Sequence, residues 1–183
     1  ELTTQYWKDV FIRTFHISRE TRMQSFQFCI LHRSIPCQKR LYEQKITDSR
    51  DCRACGMEDN LQHFFVSCNY VRQFWGSLKL TYYRLHINLG YDLSVQEKDI
   101  IFGIVVSDNV SIVLNYIILH AKYYIYANRL KNNHKLTIST FKAILKYNLK
   151  LEQMILSSKS PDKFSKFLPL YECLQRDASQ TGS

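Results

Sequence analysis

Glycine and proline are scarce in this chain, at 5 and 3 of 183 residues. Collagen-like repeats, flexible linkers and turn-dense all-β architectures need more of one or both. Long apolar runs are missing as well. The longest, Ile100–Val106, contains Gly103 and falls well short of the roughly 18 residues that span a bilayer. No basic-then-apolar leader opens the chain. There is no Walker loop, Gly-x-Ser-x-Gly elbow, His-Glu-x-x-His pair or dinucleotide glycine fingerprint, so the commonest nucleotide-binding and hydrolase signatures are excluded. No internal repeat appears. The first residue is Glu1 rather than Met, which reads as a piece of a longer polypeptide.

What is present is globular. Hydrophobic residues make up 45% and aromatic residues 14%, enough to bury a core in one compact domain. The periodicity is helical nearly throughout, which predicts an all-α, compact multi-helix domain. Thr3 or Thr4 is placed to cap a first helix with Tyr6, Trp7, Val10 and Phe11 inward. A second helix is expected from about Ser18 to Arg33 with Met23, Phe26 and Ile30 buried. Pro36 fits the first turn of a short third helix carrying Leu41. Further helices are expected over about 69–85, 98–105, 109–130 and from Thr137 or Ser139 onward, with Phe141, Ile144, Leu145 and Ile155 on one face of the last. Residues 88–94 read as a loop. The division expected is 1–87 with the knuckle at 52–68, 88–177 packed on the same core, and a disordered tail at 178–183.

Charge is positive and uneven. The formal net charge is +9, and residues 121–150 carry seven Lys/Arg and no acid. Residues 13–53 carry nine Lys/Arg against four acids. Two basic blocks around a mildly acidic middle predict binding of a polyanion, against the alternative of solvated helix faces.

Three of the six cysteines cluster with a histidine: Cys52-x2-Cys55-Gly56, then His63-x4-Cys68. Two cysteines two residues apart can reach one ion across a tight turn, and Gly56 lets the turn close at positive φ. Asn60 is placed to cap a short helix bearing His63. Three thiolates and one imidazole make a closed tetrahedral set suited to one structural Zn²⁺. A closed set leaves no position for a reacting water. The competing readings are buried free thiols or a redox Cys-x2-Cys, and the βαβ context usual for the latter is lacking. Cys29 and Cys37 beside His32 read as buried thiols rather than a nucleophile.

Arg33, Lys39, Arg40, Lys45, Arg50 and Arg53 precede or enter the knuckle and are candidate phosphate contacts. Arg53, between two ligands, is expected to point outward. A second candidate set is Lys122, Arg129, Lys131 and Lys135. Nearby aromatics could stack bases, but Tyr116 and Tyr124 read as core, with Tyr126 left open.

The run Met23–Trp75 resembles the C-terminal zinc-binding region of non-LTR (LINE-type) retrotransposon reverse transcriptases. The matching residues are Ile30-Leu31-His32, Ser34-Ile35-Pro36, Arg40-Leu41, Cys52-x2-Cys55-Gly56, Leu61-x-His63-Phe64-Phe65, Cys68 and Phe74-Trp75. Phe102-Gly103 and Leu119–Tyr126 are similar to the helical segment that follows. The resemblance implies a segment that holds element RNA or target DNA during target-primed reverse transcription. Its partners would be RNA or DNA and other domains of the parent enzyme, with no membrane and no small-molecule substrate. A nuclear and cytoplasmic setting is expected. The family's polymerase motif needs an Asp-Asp pair, which this chain lacks, so it is expected to be no enzyme itself. Pro161-Asp162 is not followed by the Asp/Glu-x-Lys of the family's nuclease. The rival expectation is a zinc-stabilised helical module that docks other protein domains.

Overall fold

The computed structural model describes residues 3–89, 96–105, 109–130, 135–159, 164–168, 170–172 and 174. Seven α-helices are described: α1 Thr4–Thr14, α2 Thr21–Leu31, α3 Gln38–Glu43, α4 Asn69–Leu89, α5 Glu97–Phe102, α6 Asn109–Leu130 and α7 Ile138–Lys159. A π-helical turn, His63–Ser67, precedes α4, and a 3₁₀ turn, Ser165–Phe167, follows α7. The architecture is all-α. Extended pairing among the described residues is a single bridge between Asp51 and Glu58, at the base of the cysteine turn.

Local chemistry explains the helix ends. Thr3 Oγ1 accepts from the Tyr6 amide at 3.2 Å and starts α1. Gln96 and Asp99 form a reciprocal capping box at α5. Helices α2 and α3 both stop in the same way. Ser34 N donates to Cys29 O at 2.8 Å and Arg33 N to Ile30 O at 3.0 Å, while Ile46 N donates to Leu41 O and Lys45 N to Tyr42 O, both at 2.9 Å. This paired pattern needs a left-handed residue just past the helix. Here the position is filled by Arg33 (φ 53°) and Lys45 (φ 59°) rather than glycine.

Helix α6 is the centre of the fold. Its Tyr116, Ile117, Leu119, Ala121 and Ile125 are all buried. A helix apolar on every side has to be surrounded, and α2, the π-turn, α7 and the 3₁₀ turn pack on it. One core joins residues from both ends of the chain, from Met23 and Phe26 through Phe65 and Phe74 to Tyr124, Phe141 and Leu149. Phe74 lies edge-on to Phe141, with ring centroids 5.5 Å apart. Each buried Phe adds about 1.5–3 kcal/mol of transfer free energy.

The expected inner faces are partly corrected. Met23, Phe26 and Ile30 are buried, as are Phe141 and Leu145. On α1, only Val10 of the expected four is fully buried, and Trp7 and Phe11 are exposed. On α7, Ile144 and Ile155 are exposed: at about 100° per residue they sit at the outer edge of the buried stripe, about 60° and 40° from Phe141 on the side away from Leu145. Helix α4 runs through Leu89, past the expected loop start at Asn88. The expected loop at 90–94, the turn at 132–134, Pro161, Cys173 and the tail 178–183 lie outside the described residues.

Candidate metal centre

The cysteine turn is built by backbone bonds. Gly56 N donates to Cys52 O at 2.8 Å, Cys52 N to Met57 O at 2.7 Å and Asp59 N to Arg50 O at 2.9 Å. Gly56 sits at φ +74°, the left-handed value that a side chain would strain. The second half of the site comes from the π-turn. Asn60 Oδ1 accepts from the His63 amide at 2.8 Å and starts it, and Cys68 N closes a wide ring on His63 O at 3.1 Å. This closure matters for the ligands. Five residues apart on an α-helix, His63 and Cys68 would point about 140° away from each other. The wider π-turn brings them back onto one side.

The result is one cluster. The ligand atoms of Cys52, Cys55, His63 and Cys68 all lie within 4.8 Å of one another. Cys52 Sγ is 4.0 Å from Cys68 Sγ, Cys68 Sγ is 3.9 Å from Cys55 Sγ, and Cys55 Sγ is 3.3 Å from His63 Nε2. A tetrahedral zinc with ordinary bond lengths has sulfur–sulfur edges of about 3.8 Å and sulfur–nitrogen edges of about 3.6 Å. The donor set and its spacing therefore fit such an ion. Burial, opposed by the Tyr70 amide and reinforced by Cys52, pushes the Cys68 thiol up to about 11. A bound cation reverses that cost by ionising the sulfur outright. Burial, outweighing Asp59, holds the His63 imidazole below its ordinary range, the direction that favours the neutral ring a ligand must be.

Two residues outside the ligand set tie this centre to the rest of the fold, and neither role was predicted. Asp59 Oδ2 accepts from the Gln38 amide at the start of α3, at 3.0 Å. Its other oxygen, Oδ1, accepts from Arg129 Nη2 at 2.7 Å. The same Arg129 Nη2 lies 3.3 Å from Cys52 Sγ, and Nη1 donates to the Phe64 carbonyl at 3.2 Å. The guanidinium also stacks over the Phe64 ring at 4.1 Å. Nothing in the chain's local pattern links positions 59 and 129. The only trace is an arginine in the last turn of α6.

The candidate phosphate contacts separate into groups. Lys122 is a correction. It is fully buried, with Nζ bonded to Gln27 Oε1 at 2.5 Å and to the Ile101 carbonyl at 3.2 Å, so it meets no outside phosphate. Arg129 is a second correction: its side chain is 11% exposed and committed to Asp59. Lys131 lies outside the described residues. Lys39 pairs with Glu58 at 2.9 Å, and Arg50 approaches the same carboxylate at 3.7 Å while staying exposed. Arg40 Nη1 donates to the Arg33 carbonyl at 2.8 Å. Arg33, Lys45, Arg53 and Lys135 are exposed. Tyr116 and Tyr124 are buried as expected, and Tyr126 is half-buried against Phe26, at 5.2 Å between centroids.

Among the described residues, no helix is long and apolar enough to cross a membrane. Neither a curated protein nor a solved structure matches the chain. Residues 3–75 do match the model of a family described as zinc-binding in reverse transcriptase. The match contains all four clustered side chains and ends in α4, so α6 and Arg129 lie beyond it. The matched family is a zinc-binding accessory domain, not a catalytic one. Residues 3–75 thus resemble a zinc-binding domain of the reverse-transcriptase type, and Cys52, Cys55, His63 and Cys68 within them form a cluster that could hold a metal ion.

Proposed function

We propose that this chain is a zinc-stabilised nucleic-acid-binding segment of a LINE-type reverse transcriptase. In this reading it holds element RNA or target DNA by the phosphate backbone during target-primed reverse transcription, inside the cell and beside other domains of the parent enzyme. One Zn²⁺ on Cys52, Cys55, His63 and Cys68 is structural, and its binding free energy, of order 10–16 kcal/mol, holds the knuckle folded. Residues 1–87 carry the knuckle, and 88–177 form a helical part packed on the same core.

The observation that carries the nucleic-acid reading is the pair Arg33 and Lys45. Each occupies a left-handed position where glycine avoids a cost of about 1–2 kcal/mol. Strain of that kind is retained where the side chain has a use. A cation after a helix also complements the helix dipole, and that benefit alone is smaller than the strain. Arg50 and Arg53, on the cysteine turn, extend the same basic surface.

The test is salt-titrated binding of the zinc-loaded chain to an RNA hairpin, single-stranded DNA and duplex DNA, comparing wild type with Arg33→Gly/Lys45→Gly. Glycine removes both charges and relieves both backbones, so the variant should be at least as stable as wild type. Its affinity for duplex DNA should fall for all sequences alike, with the log–log salt slope reduced by about 0.9 per lost contact. An unchanged slope, or no binding by wild type to any of the three, refutes the reading.

A second reading, a module that docks other protein domains, is favoured by the outward stripe Ile144, Tyr147, Leu151, Met154 and Ile155 on α7. It predicts partner binding that survives loss of Arg33 and Lys45.

A further inference from the structure

We infer that Arg129 is a positioning residue for the metal centre, and that it makes metal loading and the seating of helix α6 reciprocally linked. The inference rests on the proposed metal site, and it concerns a residue outside the matched segment.

The guanidinium touches three separate parts of the centre at once. Nη2 reaches Cys52 Sγ at 3.3 Å and Asp59 Oδ1 at 2.7 Å. Nη1 reaches the carbonyl of Phe64, next to the ligand His63, at 3.2 Å. The guanidinium face lies on the Phe64 ring at 4.1 Å. One planar fork therefore spans the cysteine turn, the π-turn and the acid between them. An ammonium on a single stem cannot span all three. Exposure is low on both sides of the ion pair, 11% for Arg129 and 2% for Asp59, so water screens it little.

The charges explain the linkage. A divalent ion held by three thiolates and an imidazole leaves one net negative charge. Asp59 adds a second. Arg129 brings a positive charge to this place from the last turn of α6. With the metal bound, this negative set is fixed where the guanidinium fork spans it, and the seating of α6 on it is correspondingly stronger. By reciprocity, α6 seated on the centre tightens metal binding by the same factor. Groups that orient and neutralise metal ligands in this way typically change metal affinity 10–100-fold when removed. The zinc domain is then completed by an element that lies about seventy residues further along the chain (Asp59 and Arg129 are 70 apart).

The experiment uses the full chain loaded with zinc: wild type, Arg129→Lys and Arg129→Met. Zinc transfer to an excess of a chromogenic chelator gives the release rate, and cobalt substitution reports the thiolate geometry from its charge-transfer band. Arg129→Met should release zinc 10–100-fold faster, and Arg129→Lys should fall between it and wild type. The cobalt band should shift in both variants, a change that a general loss of stability does not produce. If Arg129→Met fails to fold, Arg129→Lys decides: release at the wild-type rate with an unshifted cobalt band overturns the inference. Absence of stoichiometric zinc from the wild type overturns the metal site and this inference with it. Stoichiometric zinc with equal release in all three proteins overturns this inference alone.

Discussion

Replacing Lys122 with methionine should leave the protein at least as stable at pH 7.5, and should remove a steep pH dependence. Lys122 is fully buried, and burial pushes its ammonium down from 10.5 to about 7. Its partners are neutral: Gln27 Oε1 and the Ile101 carbonyl. The folded pKa lies below the unfolded one, so the unfolded chain binds more protons between the two values. Stability therefore rises with pH across that window, by about 1.4 kcal/mol per unit. The cost of keeping Lys122 in the core is full below pH 7 and gone above pH 10.5. At pH 7.5 it is about 4 kcal/mol, and between pH 7.5 and 9.5 about 2.5 kcal/mol of it disappears. Methionine fills similar space without the charge. Its own cost is the donor lost to Gln27 Oε1, about 1–3 kcal/mol, because the Ile101 carbonyl keeps its bond from Gln27 Nε2 at 3.1 Å. Urea unfolding of both zinc-loaded proteins at pH 7.5, 8.5 and 9.5 measures the difference. Groups that titrate equally in both proteins cancel. Wild type should gain about 2.5 kcal/mol on the variant over that range. Parallel curves, or a variant several kcal/mol less stable at pH 7.5, refute the argument.

Two other variants probe the frame around the core and the centre. Asn115→Ala should destabilise by about 2–4 kcal/mol in denaturant titration, because buried Asn115 bonds both the amide and the carbonyl of Ile104, at 2.7 and 2.9 Å, and leaves both without it. Cys55→Ser should bind less than stoichiometric zinc by metal analysis and unfold at markedly lower denaturant concentration, whereas Cys29→Ser, outside the cluster, should retain the metal.

The ligand set was legible because its constraint is local. Cys52, Cys55 and Gly56 fit one turn, and Asn60 stands where a cap for His63 is needed, so spacing alone pointed to one ion. The π-turn was not legible. An i to i+4 or an i to i+5 ring over His63–Cys68 is chosen by how Phe64, Phe65 and Val66 pack under the turn, and that packing is tertiary. The cations show the same divide. Arg33 and Lys45 sit just past the ends of α2 and α3 and lie on the surface. Lys122 and Arg129 belong to a basic block by count, yet Lys122 is buried and Arg129 is mostly covered and paired with Asp59. Helix α6 offers a hint for Lys122: Leu119, His120, Ala121, Tyr124 and Ile125 surround it on every face, leaving no wet side.

The sequence by itself determined the helical class, the clustering of Cys52, Cys55, His63 and Cys68, the capping of α1 and the inward stripe of α2, since each depends on residues close to one another along the chain. The tertiary structure alone decided that Asp59 and Arg129 close the centre, that Lys122 lies in the core, and that α7 turns Ile144 and Ile155 outward. These outcomes depend on which helix faces lose their water when distant segments pack, and net charge carries no address for that.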